Sequence, residues 1–274
     1  MANDFNQHII DEFRANGGRV GGPFADARLI LLTTTGARTG IRHTTPLAYL
    51  PDGGQRILVI ASAAGSPKHP DWFHNLVANP RVTVEDGAFT YDADATVLDG
   101  PERDEVFARA VEADPGWGDY QAATTRTIPV VALTPVTDGP PSGGTWGEIL
   151  VRVHDGFRRE LALIRKEIAG TGPALGAQLR VNCLTVCQGL HNHHTGEDIG
   201  LFVALGDRYP ELAPTLARLR EEHERIAELV AQLREVLGEG TTDATRARVD
   251  QLTTELERHL DHEEEHLVPL LDAM

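Results

Sequence analysis

Histidine and glutamate recur in the second half of the chain at spacings that suit a metal site. Two segments share the pattern His-x-x-x-Glu, in which His193 precedes Glu197 and His259 precedes Glu263. A spacing of four residues places both side chains on one face of a helix, about one turn apart. Imidazole and carboxylate groups together suit iron or manganese, and helix-bundle cores are where two-metal carboxylate sites are built. These residues therefore predict a metal centre inside a helical bundle.

The elements that must position these side chains are helices. Apolar periodicity predicts four helices with short connections, over residues 146–168, 175–205, 210–237 and 241–271. Each carries at least one histidine, with His154 on the first and His223 on the third. Four amphipathic helices of this length are typical of an antiparallel four-helix bundle.

The register of the second helix stays open in the sequence. His191, His193 and His194 lie within four positions, and they cannot all point inward because consecutive helix positions diverge by about 100°. A lone helical histidine is usually a surface or satisfied core residue, so a metal-free structural bundle is the alternative interpretation. Manganese and zinc are the alternatives to iron.

The first half of the chain is predicted to be mostly strands and turns. Short β-prone runs occur at residues 28–35, 56–62, 81–84 and 127–133, and helical patches at 3–15 and 101–113. Several short strands with few helices indicate a small barrel or sandwich. A Pro- and Gly-rich stretch follows, so the predicted organisation is an α+β chain of two domains, 1–136 and 145–274, joined by a linker over 137–144.

Two loops of the first half could hold an anionic ligand. The segment Thr33 to Leu47 carries Arg38 in a glycine-bounded turn, where backbone N–H groups and guanidinium suit phosphate or carboxylate oxygens. The small-residue loop Ala61 to Ser66 lets a ligand approach the backbone closely, and a short helix ended by Asn79-Pro80 follows it. A plain hairpin with an exposed arginine is the alternative interpretation of the first loop.

These loops, with the later segment Tyr120-Gln121 to Ile128-Pro129-Val130, resemble the deazaflavin-dependent nitroreductase family. The resemblance covers about residues 5–135 and implies a split β-barrel like that of FMN-binding proteins. It implies coenzyme F420, whose reduced form donates hydride, with FMN or haem as alternatives. It also implies Tyr120 as the catalytic proton donor. The cofactor-binding residues implied are Arg38, Thr39, Gly40, His43, Pro46, Leu47, Ser62, Ala63, Gly65, Pro70, Trp72, Asn75, Asn79 and Pro80.

Three departures from this family pattern bear on the chemistry. Ala63 replaces a lysine and His43 replaces an arginine, although Arg42 and Lys68 are close in sequence and could compensate. Trp117 stands at a neighbouring aromatic position and cannot act as an acid at neutral pH. Quinone or enone reduction therefore fits as well as nitroreduction.

The order of histidines and glutamates in the second half resembles the hemerythrin-like HHE cation-binding family. The resemblance covers residues 146–274 and implies a non-haem di-iron site bridged by the two glutamates. The ligands implied are His154, His193, Glu197, His223, His259 and Glu263, with His191 or His194 replacing or joining His193. Oxygen-carrying hemerythrins have a second histidine four positions on in the third helix, where this chain has Ala227. We therefore expect one open coordination position.

Together the two resemblances imply a bifunctional redox protein. We expect an F420H2-dependent reductase of quinone, nitro or enone type, acting on a small-molecule substrate. The di-iron bundle is expected to bind or sense O2, peroxide or NO. The alternative is a non-catalytic cofactor-binding barrel beside an oxygen- or iron-sensing bundle. Barrels of this family often pair, so a homodimer through the barrel is a further expectation.

Charge and hydropathy restrict the partners and the location. The formal net charge is −16, with acidic residues in excess in both halves, which disfavours nucleic acid as a partner. No apolar stretch reaches the ~20 residues that span a membrane, and no signal-peptide core occurs near the start, so we expect a cytoplasmic protein. Cys183 and Cys187 are expected to be buried, unpaired residues.

Overall fold

The computed structural model describes residues 2–136, 144–239 and 242–274. The chain divides into two compact units, the first comprising 1–143 with 176–181 and the second 144–175 with 182–274. Residues 137–143 of the predicted linker lie outside the described residues. The grouping of 176–181 with the first unit was not predicted, and the domain boundaries remain a prediction.

The first unit is built on a closed antiparallel barrel with strand order β1-β2-β3-β6-β5-β4. Its strands are β1 Leu29–Thr35, β2 Arg42–Pro51, β3 Ile57–Ile60, β4 Arg81–Glu85, β5 Thr90–Val97 and β6 Val130–Pro135. Closure pairs both edges of the sheet, which protects the short strands from pairing with other chains. The structure confirms the barrel expected for this half.

The barrel core follows from the alternation of side chains along the strands. Ile30 and Leu32 of β1 are fully buried and pack with Val59 of β3 and Val131 and Leu133 of β6. The alternate residues of β1, Leu29 and Leu31, face outward, where the first helix covers them. Both faces of β1 are therefore apolar, as expected for a strand covered on both sides.

Two strands and one helix were not predicted. Strand β2 follows the predicted glycine-bounded turn and was not assigned as a strand, yet it pairs with β1 from Thr35↔Arg42 to Leu29↔Ala48. Strand β5 has the sequence TYDADATV, in which Tyr91, Ala93 and Ala95 face the barrel core and the aspartates face solvent. Alanine and aspartate are poor strand formers, so pairing with β4 and β6 overrides the local preference. The strand predicted at 127–133 begins only at Val130, after Pro129.

The described part of the first unit also contains four α-helices. They are α1 Ala2–Ala15, α2 Asp71–Ala78, α3 Gly100–Ala113 and α4 Gly116–Ala122. The short helix α4 (GWGDYQA) was not predicted because two glycines weaken its helical pattern. Trp72 and Leu76 of α2 are buried in the barrel core, which fixes this helix against β1.

The second unit is the predicted four-helix bundle. Its helices are α5 Trp146–Gly170, α6 Ala177–Gly196, a π-helix Glu197–Leu201 that continues into α7 Phe202–Arg208, α8 Ala213–Glu239 and α9 Thr242–Leu271. Helix α5 begins with a capping box between Thr145 and Glu148. The second predicted helix, 175–205, is therefore a continuous helical segment that contains one π-helical turn.

The interior of the bundle is mainly apolar, with the buried histidines and glutamates gathered in one region and single polar residues such as Asn182 and Thr253 elsewhere. Leu150, Leu219 and Leu267 pack with Phe202 and Leu205 at one end. Cys183 and Cys187 are both buried, as predicted. Among the described residues, no helix is long and apolar enough to cross a membrane.

A pair of glycine substitutions tests the close contact between the loop after β3 and α4. Gly65 has φ +76°, and a Cβ there would lie 2.8 Å from Ala123 Cβ and 3.1 Å from the Tyr120 carbonyl oxygen. Gly53 has φ +85° with nothing within 4 Å of its Cβ position. Positive φ alone costs about 1–2 kcal/mol for alanine, and overpacking adds about 1–3 kcal/mol. Gly65→Ala should therefore lower the free energy of unfolding more than Gly53→Ala, as measured by urea denaturation. Equal losses would contradict this close approach of the loop to α4.

Candidate metal centre and candidate cofactor site

The bundle interior brings two groups of potential metal ligands together. His194, His223 and His259 form one group, which we call the three-histidine cluster. The mixed cluster contains His154, His193, Glu197 and Glu263. Within each cluster the ligand atoms lie within 4.8 Å of one another. Every residue is buried except His193, whose side chain is 12% exposed.

The two glutamates of the mixed cluster also lie next to the three-histidine cluster. Glu197 Oε1 is 3.3 Å from His193 Nε2 of the mixed cluster, and its Oε2 is 3.6 Å from His223 Nε2 of the three-histidine cluster. Glu263 Oε2 is 3.4 Å from His154 Nε2 and 3.5 Å from His259 Nε2. Each carboxylate therefore faces one imidazole of either cluster. A bridging carboxylate between two ions would need this arrangement.

Carboxylates behind three of the imidazoles orient them. Nδ1 of His154 hydrogen-bonds Glu264 at 2.8 Å, that of His223 bonds Asp198 at 3.0 Å, and that of His259 bonds Glu222 at 3.1 Å; those carboxylates are the acceptors. With the proton on Nδ1, each neutral ring directs the lone pair of Nε2 into the cluster. Metal-binding histidines usually have such partners, which fix the tautomer and strengthen the ligand.

Aromatic stacking holds the three-histidine cluster from the side. His223 stacks on His194 with ring centroids 4.2 Å apart and on Phe202 at 5.3 Å. The π-helix lies directly before Phe202, whose backbone N–H bonds the carbonyl of Glu197 five residues earlier. This wide turn sets the position of Phe202 relative to Glu197. Single π-turns inside α-helices occur often at functional sites.

Burial controls the protonation of the cluster. It lowers the pKa of His193 and of His259, and lowers the pKa of His194 very strongly, so these rings stay neutral. Burial also lowers the pKa of His154, but the neighbouring carboxylates of Glu263 and Glu264 outweigh it and the net shift is upward. Burial, together with the charge of Glu263, raises the pKa of Glu197 well above its usual value.

The unpaired polar atoms of this site indicate a cation. In the described part of the chain, seven buried ligand atoms of the two clusters make no hydrogen bond: Nε2 of His194, His223 and His259, and both carboxylate oxygens of Glu197 and Glu263. An unsatisfied buried polar group costs about 1–3 kcal/mol, and more if charged. Metal ions would satisfy all seven atoms at once, and the imidazole and carboxylate set fits iron or manganese.

All six ligands predicted from the sequence lie in the clusters. His194 joins His193 rather than replacing it, because the two rings enter different clusters, whereas His191 is exposed and lies in neither. Ala227 is also exposed, so the third imidazole beside His223 and His259 comes from α6. Sequence reasoning missed the outer carboxylates Glu222, Asp198 and Glu264, since single acidic residues on a helix carry no distinguishing signal.

In the barrel unit, hydrogen bonds from α2 and its C-terminal end hold the turn between β1 and β2. Asn75 is buried, accepts a hydrogen bond from the Ala37 backbone N–H at 3.0 Å, and donates one to Thr34 Oγ1 at 3.2 Å. Asn79 donates to the Thr35 carbonyl at 3.1 Å. The two asparagines thus position the turn through their own hydrogen bonds. The turn presents Arg38 in an exposed position.

The loop after β3 is the most strained backbone of the described chain. Ala63 and Ala64 have φ of 46° and 50°, the only positive values at non-glycine residues there. Such conformations cost of order 1–3 kcal/mol each and occur often at ligand sites. Arg126 braces the loop by donating to the Ser62 carbonyl at 2.6 Å and the Ser66 carbonyl at 2.8 Å. Arg126 was part of the sequence motif but was not predicted as a site residue.

The structure distributes the predicted cofactor residues between surface and core. Arg38, Thr39, Gly40 and His43 are exposed on or next to the first turn; Ser62 and Ala63 are half-buried and Gly65 is buried in the second loop, whose Gly65 lies against the backbone of Tyr120. Pro46 and Leu47 lie in β2, paired with β1. Pro70 precedes α2, Trp72 is in the core, and Asn79 and Pro80 line a cleft of about 560 Å³. The exposed and loop residues could contact a cofactor; Trp72 and Asn75 support them from within.

Replacing one central carboxylate should stabilise the metal-free protein. The folded-state pKa of Glu197 is raised, so the folded protein loses stability as pH rises from the unfolded pKa toward the folded one. Metal-free Glu197→Gln should match wild type near pH 4 and exceed its free energy of unfolding by about 1–3 kcal/mol at pH 7. The measurement is chemical denaturation across this pH range, with Glu221→Gln, an exposed glutamate of α8, as control. A stability difference that did not change with pH would contradict this account.

Comparisons with known proteins match the two halves of the chain separately. The family model of the F420H(2)-dependent quinone reductases matches residues 7–135, and that of the hemerythrin HHE cation binding domain matches residues 147–271. An F420H(2)-dependent quinone reductase of Mycobacterium tuberculosis (strain ATCC 25618 / H37Rv) is 36% identical over 126 residues, covering 44% of this chain and 84% of that relative.

Two solved structures match the first half. A structure of an F420-H2 dependent reductase is 41% identical and covers 39% of this chain and 93% of its own, with a TM-score of 0.36. A structure described as a domain-swapped dimer is 36% identical and covers 48% of this chain and 99% of its own, with a TM-score of 0.38. The chain therefore belongs to the F420H(2)-dependent quinone reductase family through its first half and carries a hemerythrin HHE cation-binding domain in its second.

Proposed function

We propose that the chain couples two redox functions, an F420H2-dependent quinone reductase in the barrel and a non-haem di-iron centre in the bundle that binds O2, peroxide or NO. The di-iron function rests on seven buried ligand atoms that make no hydrogen bond and lie in the three-histidine and mixed clusters of the bundle interior. The observation that carries the reductase function is the 36% identity to a quinone reductase over the barrel.

The ligand set supports a small-molecule site on one side of the metal centre. With both glutamates bridging, one ion would have three imidazoles and the other only His154 and His193. Iron commonly takes six ligands, so the ion held by His154 and His193 would keep more open positions than its neighbour. His193 is also the most exposed ligand, and the ring of Phe157 lies 5.4 Å from it. We therefore place the small ligand beside His193 and Phe157.

Iron supplies one-electron chemistry and Lewis acidity when bound in such a site. Burial in this chain keeps the rings of His193, His194 and His259 neutral and limits the access of water. Glu264, Asp198 and Glu222 fix the orientations of three of the imidazole rings. In the alternative function, in which the bundle senses oxygen or iron, the same histidines and glutamates would bind the metal and the protein would catalyse no reaction.

Iron content of the full chain tests the di-iron proposal. Purified protein reconstituted anaerobically with ferrous iron should retain about two iron atoms per chain after desalting, as expected for a bundle with this ligand set. The double variant Glu197→Gln/Glu263→Gln should lose both, because it removes the two bridging carboxylates while keeping the side-chain shape.

The variant Glu221→Gln/Glu265→Gln, which changes two exposed glutamates of the same helix bundle, should retain both atoms. Circular dichroism would establish that all three proteins are folded. A wild-type protein that is folded and retains no iron, manganese or zinc would leave the bundle a purely structural element.

The barrel geometry supports cofactor binding at the two braced loops. Exposed Arg38 and Lys68 lie on or next to these loops and offer positive charge to an anionic cofactor. The backbone of Ala63 to Gly65 has three successive positive φ values, and strained conformations of this kind occur often at ligand sites. Bound F420 in its reduced form supplies hydride, and quinone reduction needs a proton in addition. Tyr120, 39% exposed on α4 beside the loop, is our candidate donor of that proton.

Steady-state kinetics of the full chain tests the reductase proposal. Wild-type protein should oxidise reduced F420 with menadione as acceptor, followed by the return of the oxidised-cofactor absorbance. Tyr120→Phe should lower kcat by about 10²-fold or more, since positioned proton transfer contributes about 10²–10⁴-fold, with little change in KM for the cofactor. Tyr209→Phe, which removes a hydroxyl from the bundle, should leave the kinetics unchanged.

The outcomes separate the candidate functions. A Tyr120→Phe variant with wild-type kcat would exclude this hydroxyl as the proton donor. Tight F420 binding without turnover of quinone, nitro or enone acceptors would favour the non-catalytic barrel with a sensing bundle.

A further inference from the structure

A second pair of histidines lies outside the two metal clusters. His262 and His266 are four residues apart on α9, with ring centroids 4.6 Å apart and planes at 76°. Both are half-buried, and the side chain of His262 is 14% exposed. Neither belongs to the three-histidine or the mixed cluster. Two histidines at this helical spacing can hold one metal ion between them, as in the zinc-binding pattern H-E-x-x-H.

Hydrogen bonds fix which nitrogen of each ring is free. His266 Nδ1 lies 2.8 Å from the backbone carbonyl of His262, and a carbonyl only accepts, so this nitrogen carries the proton. His262 Nδ1 lies 3.1 Å from Glu222 Oε2, which is likewise an acceptor. In this tautomer the Nε2 lone pair of each ring is available for a ligand. This is the same arrangement that orients His154, His223 and His259.

Glu222 joins this pair to the buried centre. Its Oε2 accepts from His262 and also from His259 of the three-histidine cluster, at 3.1 Å each. Its other oxygen faces Arg218 at 3.1 Å and Arg225 at 3.9 Å, so the arginines occupy the far side of the carboxylate. The Glu222 carboxylate thus connects His262 of the outer pair directly to His259 of the buried cluster.

The charge around the outer pair favours a cation. Residues 261 and 263–265 of α9 are all acidic; Arg158 pairs with Asp261 and Glu264, Glu263 is buried, Glu265 is exposed, and the whole chain has a net charge of −16. A surface of one sign raises the local concentration of opposite ions and their rate of arrival. The buried ligands, in contrast, are almost without contact with solvent.

We propose that His262 and His266 form an outer site for a divalent first-row transition-metal ion, completed by water, that supplies ions to the buried centre. The site captures the ion from solvent and holds it next to the Glu222–His259 contact. The supply role rests on the proposed di-metal function of the bundle, whereas the outer site itself does not.

Iron uptake by the metal-free full chain tests this proposal. Ferrous iron is added anaerobically, samples are challenged with a chelator at intervals, and chelator-labile and chelator-resistant iron are counted. The test variant is His262→Gln/His266→Gln, and the matched control is His191→Gln, an exposed histidine of α6. Glutamine retains hydrogen-bonding capacity toward Glu222 but does not supply the imidazole lone pair.

The expected result is one labile iron per chain in wild type and control that the double variant lacks. The double variant should fill the resistant fraction about tenfold more slowly at limiting iron, because it loses the local concentration that prior binding provides. Its final resistant iron should equal that of wild type. An unchanged labile fraction would overturn the outer site, and an unchanged filling rate would overturn its supply role. Absence of resistant iron in all three proteins would instead refute the di-metal proposal, with the labile count still deciding the outer site.

Discussion

The second half of this protein is organised around the burial of carboxylates without protein partners. Glu197 and Glu263 are at most 5% exposed, and neither of their oxygens makes a hydrogen bond within the described chain. Burial, and after it the charge of the neighbouring Glu263, raises the pKa of Glu197 well above its usual value. A cationic ligand removes this penalty, so a metal-free bundle of this sequence is held in an unfavourable electrostatic state by its apolar packing.

The surrounding structure is arranged to serve those two side chains. Carboxylates behind the histidines turn each Nε2 toward the glutamates, and the stack of Phe202, His223 and His194 restricts ring rotation. The π-helical turn allows Glu197 and Phe202 to be five residues apart on one interrupted helix while both face inward. Glu222 extends the network to His262, so the polar interior continues toward the surface along one side.

In the barrel unit, polar side chains hold two loops in position through hydrogen bonds. Asn75 accepts a hydrogen bond from a backbone N–H group of the first loop, and Arg126 donates to a backbone carbonyl of the second. Both loops have little apolar content. The loops can then carry exposed residues and positive φ values without losing their shape. Loops positioned by a rigid scaffold are where ligand sites generally lie.

The sequence by itself determined the two fold classes, and it singled out six histidines and glutamates that the structure brings together in the bundle interior. Helical periodicity and the spacing His-x-x-x-Glu are local properties, so they are visible without knowledge of neighbouring helices. Strands β2 and β5 were invisible because their residues favour a strand only when paired with neighbours on both sides. Only the tertiary structure decided that His193 and His194 enter different clusters, that Ala227 faces solvent, and that Asp198, Glu222 and Glu264 stand behind the imidazoles. Those facts depend on how four helices rotate against one another, and the rotation is set by packing across the whole bundle rather than by any single segment.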